Sequence, residues 1–312
     1  MSKKFNLSIE NIRQVIPFLG LVIAAVFFQI ASGGRLLSAS NFPILVNHAF
    51  PVIVASCGAV FLMSQGNLDF SLTGMICLTA AITAIVSHTS IPLAILVALT
   101  MGSTLGLING FAHAILGLPP FIATLAASFM YIGVANVLLG AGSLAATFAV
   151  RRLDNLPLKL TVLCVVLIFT FLVLEFSTFG KQCKAMGSRI EVARQSGVNI
   201  ILKKLIPFMI SGFACGLIAV FFISRTTTAS TQTGANVQIN TILALLLGGI
   251  PFSGGWAARF RCVIIGSLLM AIILNGLVVM DVLITTQQII QGILFVVAVA
   301  ISFDRKNATV IK

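Results

Sequence analysis

Only seven of the 312 residues are acidic, and one of them, Asp69, stands between two apolar blocks in GNLDFSLTG (66–74). A carboxylate at membrane depth costs about 2.5–3.5 kcal/mol on insertion scales, so it is found paired, solvated or functional. Two uses fit the residues around it. Either Asp69 or Ser71 caps the following helix near an aqueous boundary, or Asp69 lines a solute pathway with Gln65, Asn67 and Ser71. Asn109, Asn136, Asn240 and Asn275 place further amides in apolar company. Such amides can bond a polyol, and they also bond helix to helix. Catalytic and metal chemistry find no set of residues to carry them. His48, His88 and His113 have no cysteine or carboxylate partners at ligand spacing, and the six cysteines are scattered singly, as small buried hydrophobes. Neither a G-x-x-x-x-G-K-[ST] phosphate loop nor a nucleophile elbow occurs. The expected protein has no enzymatic site, metal or cofactor of its own.

A second constellation is GKQCKAMGSRIEVARQSGVNIILKKL (180–205), with six of the nineteen basic residues and one acid, Glu191. Ser188-Arg189-Ile190-Glu191 has the S-x-x-E spacing of a capping box, and Gly197 suits the left-handed residue that ends a helix. The spacing predicts a helix over 189–196, with Ile190 and Ala193 on one stripe and Glu191 and Arg194 placed for an i,i+3 pair. Two free turns are marginal in water. The segment is therefore expected to dock, on a partner or on lipid headgroups.

The elements that hold these residues follow from composition. The chain is 59% hydrophobic and 8% charged, against roughly a quarter charged in a soluble domain, and its mean hydropathy is +1.13. The apolar residues fall in blocks near the length that spans ~30 Å of hydrocarbon. Ten spans are expected near 15–33, 43–64, 70–87, 91–112, 119–139, 158–178, 205–224, 238–250, 262–280 and 287–303. That leaves a single transmembrane domain over 1–312, with a cytoplasmic segment 1–14, a cytoplasmic loop 180–204 and a tail 304–312. The polar start of the chain makes the first block a retained span. With both termini cytoplasmic, fourteen basic residues lie inside, and Arg35, Arg151, Arg152, Lys159 and Arg225 lie outside. The net charge of +12 is then the inside bias of membrane proteins, with no call for nucleic acid. LGLINGF (105–111) and AIILNGLV (271–278) repeat an Asn-Gly five spans apart, in opposite orientation, as an inverted repeat requires. The fold expected is an all-α polytopic membrane protein of about ten helices with inverted-repeat pseudo-symmetry.

At this point the motifs carry a resemblance. AMGSRIEVARQSGV resembles AIGGNEEAARLSGI, the coupling segment of ribose-type permeases of ATP-binding cassette importers. GNLDFSLTG is similar to GGIDLSVGS, LPPFIATL (118–125) to IPPFIVTL, and ISRTTTASTQTGANVQINTI (223–242) to ASRLGSAQPTAGTGYELDAI. LLLGGIPFSGG (245–255) is similar to VVLGGTSLSGG, and Asn275-Gly276 and the span ending at Asp304 also correspond. The resemblance implies a permease subunit in a bacterial inner membrane. A second permease chain shares the pathway, and separate ATPase subunits carry ATP and Mg. An extracytoplasmic binding protein brings a sugar or similar solute. It also implies that Gly187, Ser188, Arg189, Ile190, Glu191, Ala193, Arg194, Ser196 and Gly197 contact the ATPase subunit. Read from the residues alone, Asn67, Asp69, Ser71, Asn109, Asn240 and Asn275 are the candidate pathway residues. An ion-coupled secondary transporter is the alternative that hydropathy leaves open. The chain departs from the pattern at Gln238 and Asn240, where the family carries acids. Ile132 stands where it carries an arginine, and Trp256, Arg259 and Arg261 stand in its small flexible turn. Those departures suggest one half of a heterodimeric permease pair.

Overall fold

A computed structural model describes residues 9–140 and 142–302, so the first eight residues and the tail from 303 lie outside the described residues. Twelve helices follow one another: α1 (Ile9–Ala31), α2 (Phe42–Ser64), α3 (Leu72–Val86), α4 (Ile91–Ala114), α5 (Pro120–Leu139), α6 (Leu156–Phe171), α7 (Thr178–Ser188), α8 (Ile190–Gln195), α9 (Ile200–Thr226), α10 (Val237–Leu247), α11 (Phe260–Val279) and α12 (Ile284–Ser302). A π turn, Leu172–Phe176, extends α6. Two short strands, β1 (Ser143–Ala145) and β2 (Thr228–Ser230), pair antiparallel with Leu144 opposite Ala229. Each expected span falls chiefly on one helix, the sixth running from α6 through the π turn to the first residue of α7. Among the described residues six helices are long and apolar enough to cross a membrane, and Val15–Ala31, Leu72–Val86, Val237–Leu247 and Ile284–Ala300 are further apolar helical stretches at spans one, three, eight and ten. The molecule is a polytopic, all-helical membrane protein.

Helix α2 is apolar all round and lies inside, with every residue from Ala49 to Ser64 buried. Helices α4, α5 and α6 bury far less of their surface and show Leu96, Ile122, Phe129, Val137 and Val165 outward, as suits contact with lipid. The packing pairs have a twofold character. Helix α4 lies on α9 as α11 lies on α2, α3 touches α9 as α10 touches α2, and α3 meets α5 as α10 meets α12. The α4–α9 contact is made by small residues: a Cβ on Gly102 would strike the Gly212 carbonyl, one on Gly106 the Phe208 carbonyl, and one on Gly216 the Ala98 carbonyl. Glycines four apart let two backbones touch, where a membrane offers no hydrophobic drive to join helices.

Two elements are discontinuous. Helix α3 has fifteen residues and α10 eleven, which at 1.5 Å per residue span about 22 and 16 Å, short of a ~30 Å core. Each is entered by a non-helical segment, 65–71 before α3 and 231–236 before α10. The segment before α10 meets α3 inside the bundle, where the Thr73 hydroxyl donates to the Gly234 carbonyl at 3.4 Å and Gly234 sits against Ile76.

Candidate functional site

Polar groups converge at three levels of the bundle. The first is a cavity of about 220 Å³ at the hairpin end, beside the starts of α2, α10 and α12 and the end of α9. Its wall carries the amides Asn47, Asn236, Asn240, Gln287, Gln288 and Gln291, with His48 and Arg225. Pro51, Val52, Phe222 and Leu274 supply apolar surface. Amides donate and accept in equal measure, which matches hydroxyls that do the same. Asn240 is buried, and its Oδ1 has no hydrogen-bond partner among the described residues. The Asn47 oxygen is already taken, at 2.7 Å, by Nζ of Lys159, which also pairs with Asp154. Lys159, counted among the outside cations at the edge of the span expected over 158–178, lies buried, 5.3 Å over the Phe221 ring, and ties α6 to α2.

The second level surrounds Asp69, which is buried. Its Oδ1 accepts from the Ser71 amide at 2.9 Å and from the Ser71 hydroxyl, and its Oδ2 from Ser211 Oγ at 3.0 Å. Asn109 Nδ2 donates to Ser71 Oγ at 2.7 Å, and the Tyr131 hydroxyl donates to Asn109 Oδ1 at 2.8 Å. The chain Tyr131, Asn109, Ser71, Asp69, Ser211 joins α5, α4, the entry to α3 and α9. Its physical cause is the unwound stretch before α3, whose amides need partners away from water: Ser71 N–H finds Asp69, and Phe70 N–H finds Thr124 Oγ1 at 3.0 Å. Asp69 thus lies buried just before α3, bonded within the bundle, so of the two expected uses the structure does not form the cap at an aqueous boundary.

The remaining pathway candidates part company. Asn275 exchanges amide bonds with Asn41, at 2.6 and 3.3 Å, and is fully buried; this is a helix-to-helix bond. Asn67 lies at the opposite end from the cavity, donating weakly to Gln65, whose own amide donates to the Lys203 carbonyl at 2.6 Å. Only Asn240 of the six faces the cavity. The Gln287-Gln288-x-x-Gln291 stripe was overlooked in the sequence, although three glutamines on one face of an apolar helix are a visible signal.

The third level is the α8 end. Ser188 closes α7 and donates to the Lys184 carbonyl at 3.2 Å, and Arg189 is the N-cap of α8 without a side-chain bond. The expected capping box is therefore not formed, because α7 continues through the serine. The expected Glu191–Arg194 ion pair is also not formed; both side chains are exposed. Gly197 performs as expected, with φ +80°, Val198 N–H on the Ala193 carbonyl at 3.2 Å and Gly197 N–H on that of Arg194 at 3.0 Å. Ala193 is buried and Ile190 half-buried on α7 and α9. Glu191, Val192, Arg194, Gln195 and Ser196 face out, beside an open crevice of about 620 Å³ that Trp256 borders. Gly187 packs on the Ser64 carbonyl and Gly254 on those of Met63 and Ser64, which fixes the glycine turn before α11 to the end of α2. Five of the six cysteines are buried; Cys164 is exposed on α6, against expectation. Burial pushes the Cys183 thiol up to about 11, with the Gln65 amide and Lys203 pulling the other way.

With this geometry in place, comparison with known proteins adds a family. The family described as branched-chain amino acid transport system, permease component, matches residues 42–299. The xylose transport system permease protein of Haemophilus influenzae is 24% identical, covering 97% of this chain and 99% of that one. The L-arabinose permease of Escherichia coli is 29% identical over 81% and 78% of the two chains, and the ribose import permease of Bacillus subtilis 29% over 94% and 92%. No solved structure matches.

Proposed function

Because the chain belongs to the permease components of this family and is a monosaccharide ABC transporter permease, we propose that it forms, with a second permease chain, the pathway by which a sugar or similar solute enters the cytoplasm. The observation that carries this reading is the placement of an amide-lined cavity and an exposed, charged short helix at opposite ends of one bundle. Solute enters at the hairpin end from an extracytoplasmic binding protein. Separate ATPase subunits, holding ATP and Mg, clasp α8, through Glu191, Arg194 and Ser196, with Gly187 and Gly197 setting its position. The chain itself binds no cofactor.

The ten apolar helices form two inverted repeats, α1–α5 and α6 with α9–α12, both termini being cytoplasmic in a bacterial inner membrane. The mirrored packing pairs support this, as does the position of the two short helices, third in one repeat and third in the other. Paired short helices in corresponding positions mark the substrate region of inverted-repeat transporters, and α10 borders the cavity. Residues 1–312 act as one domain, with 180–204 as the coupling loop.

The test is uptake. The complex is purified with its binding protein, the bound solute is identified by mass spectrometry, and its uptake is followed in vesicles. Uptake that follows ATP and survives an uncoupler supports the reading. Uptake that collapses with the uncoupler and ignores ATP overturns it in favour of an ion-coupled transporter.

A further inference from the structure

We propose that Glu175 is a positioning residue for transport, the joint through which displacement of the coupling helix α8 reaches the helices that wall the cavity. The inference rests on the importer reading above. Glu175 lies in the π turn that ends α6, and π turns often mark functional positions. One carboxylate oxygen accepts from Lys184 Nζ on α7 at 2.7 Å, and the other from the Phe260 amide, the first of α11, also at 2.7 Å. Lys184 is buried and has Glu175 as its one ion-pair partner among the described residues. A buried ammonium holds its counter-ion firmly, because separation leaves a charge without water. Helix α7 leads into α8 with only Arg189 between them. The first amide of α11 has no side-chain cap from its own N-cap, Arg259, so the carboxylate supplied by α6 serves as that cap.

From there the connection is rigid. Gly266 of α11 packs on the Ala244 carbonyl, and Gly248 on that of Cys262, so α10 and α11 touch backbone to backbone. Twenty residues make α11 a rod of about 30 Å, and its far portion brings Leu274 to the cavity beside Asn240 of α10. A push on α8 is therefore delivered through Lys184 and Glu175 to the base of a rod whose other end lies at the solute site.

The experiment uses the full permease–ATPase complex in a Cys164→Ser background, with Leu274→Cys as reporter and a membrane-impermeant fluorescent maleimide as probe. ATP with Mg is expected to change the labelling rate of the reporter by about fivefold or more, as for an ordinary coupled site. The double variant Glu175→Gln/Lys184→Met removes the pair without stranding a buried ammonium. It is expected to bring the ATP effect under about twofold while ATP hydrolysis continues. Glu175→Asp, too short to hold both partners, is expected to fall between the two, and it carries the test alone if the double variant does not assemble. A full ATP effect in either variant overturns the inference, as does loss of hydrolysis and labelling response in parallel. A parent complex without any ATP effect also overturns it, since α11 then carries no motion; whether the chain is an ATP-driven permease is read independently from uptake.

Discussion

The Asp69 carboxylate satisfies three donors while buried, and among the described residues no cation pairs with it. Its chemistry is therefore that of an acceptor. Asp69→Asn keeps an oxygen for Ser71, and the Ser211 hydroxyl can turn to accept from the new amide, so the complex should retain assembly and melt within a few degrees of the parent. Asp69→Ala strands donors at about 1–3 kcal/mol for each buried group and should lower the melting temperature of the detergent-solubilised complex plainly. Equal losses in both variants would show that the charge itself is needed. At the cavity, Asn240→Leu removes the amide whose oxygen is free and should depress uptake about tenfold, near one charge-neutral hydrogen bond, while ATP hydrolysis is retained; uptake at the parent rate would remove Asn240 from the pathway. Cys183 gives a pH prediction with a fixed sign. Its thiol, raised to about 11 and buried, should stay unmodified by N-ethylmaleimide at pH 8 in the folded complex and react after denaturation, as peptide mass spectrometry would read.

At the scale of elements, α8 was legible to within a residue at each end, because its glycine stop is a backbone requirement that local sequence states. Its start was misplaced because Ser188 can equally serve as the last residue of a preceding helix, and α7 holds it through packing that spacing does not encode. Asp69 was legible as exceptional, yet its partner Ser211 lies 142 positions away, and Tyr131, which joins the same chain of bonds through Asn109, is likewise brought there by tertiary packing. The contact of α4 with α9 was readable and overlooked, since glycines at 102, 106, 212 and 216 recur four apart. Gly106→Leu forces a side chain onto the Phe208 carbonyl and should abolish recovery of folded protein, whereas Gly133→Ala, where nothing lies within 4 Å, should be neutral. On α8, Glu191→Ala removes an exposed carboxylate that the bundle does not use, and Gly197→Val forces a branched residue to φ +80°. Both should sharply reduce ATP-driven uptake with membrane insertion intact; normal uptake by both would take α8 out of the coupling role.

For the whole molecule the decisive quantity is the distribution of cations between its ends. The α8 end carries Lys181, Arg189, Arg194, Lys203, Lys204, Arg259 and Arg261, while the hairpin end carries Arg35, Arg151, Arg152 and Arg225, its Lys159 being held by Asp154. Lysines and arginines in short loops set orientation through their bias to the cytoplasm, and here they agree with the end at which the proposal sets the ATPase subunits. The departures at Gln238 and Asn240 lie at the opposite end, on the helix that walls the cavity, so under the proposal they change the solute-facing end and leave α8 as it is. Orientation therefore ties the two halves of the proposal together, and it is open to a direct measurement. In a Cys164→Ser background, Ser143→Cys on the exposed hairpin and Gln195→Cys on α8, both exposed positions, are reacted with an impermeant maleimide in intact spheroplasts. The hairpin cysteine should be labelled and the α8 cysteine labelled only after the membrane is opened. The reverse pattern would place α8 outside, away from any ATPase, and the importer reading would fall with it.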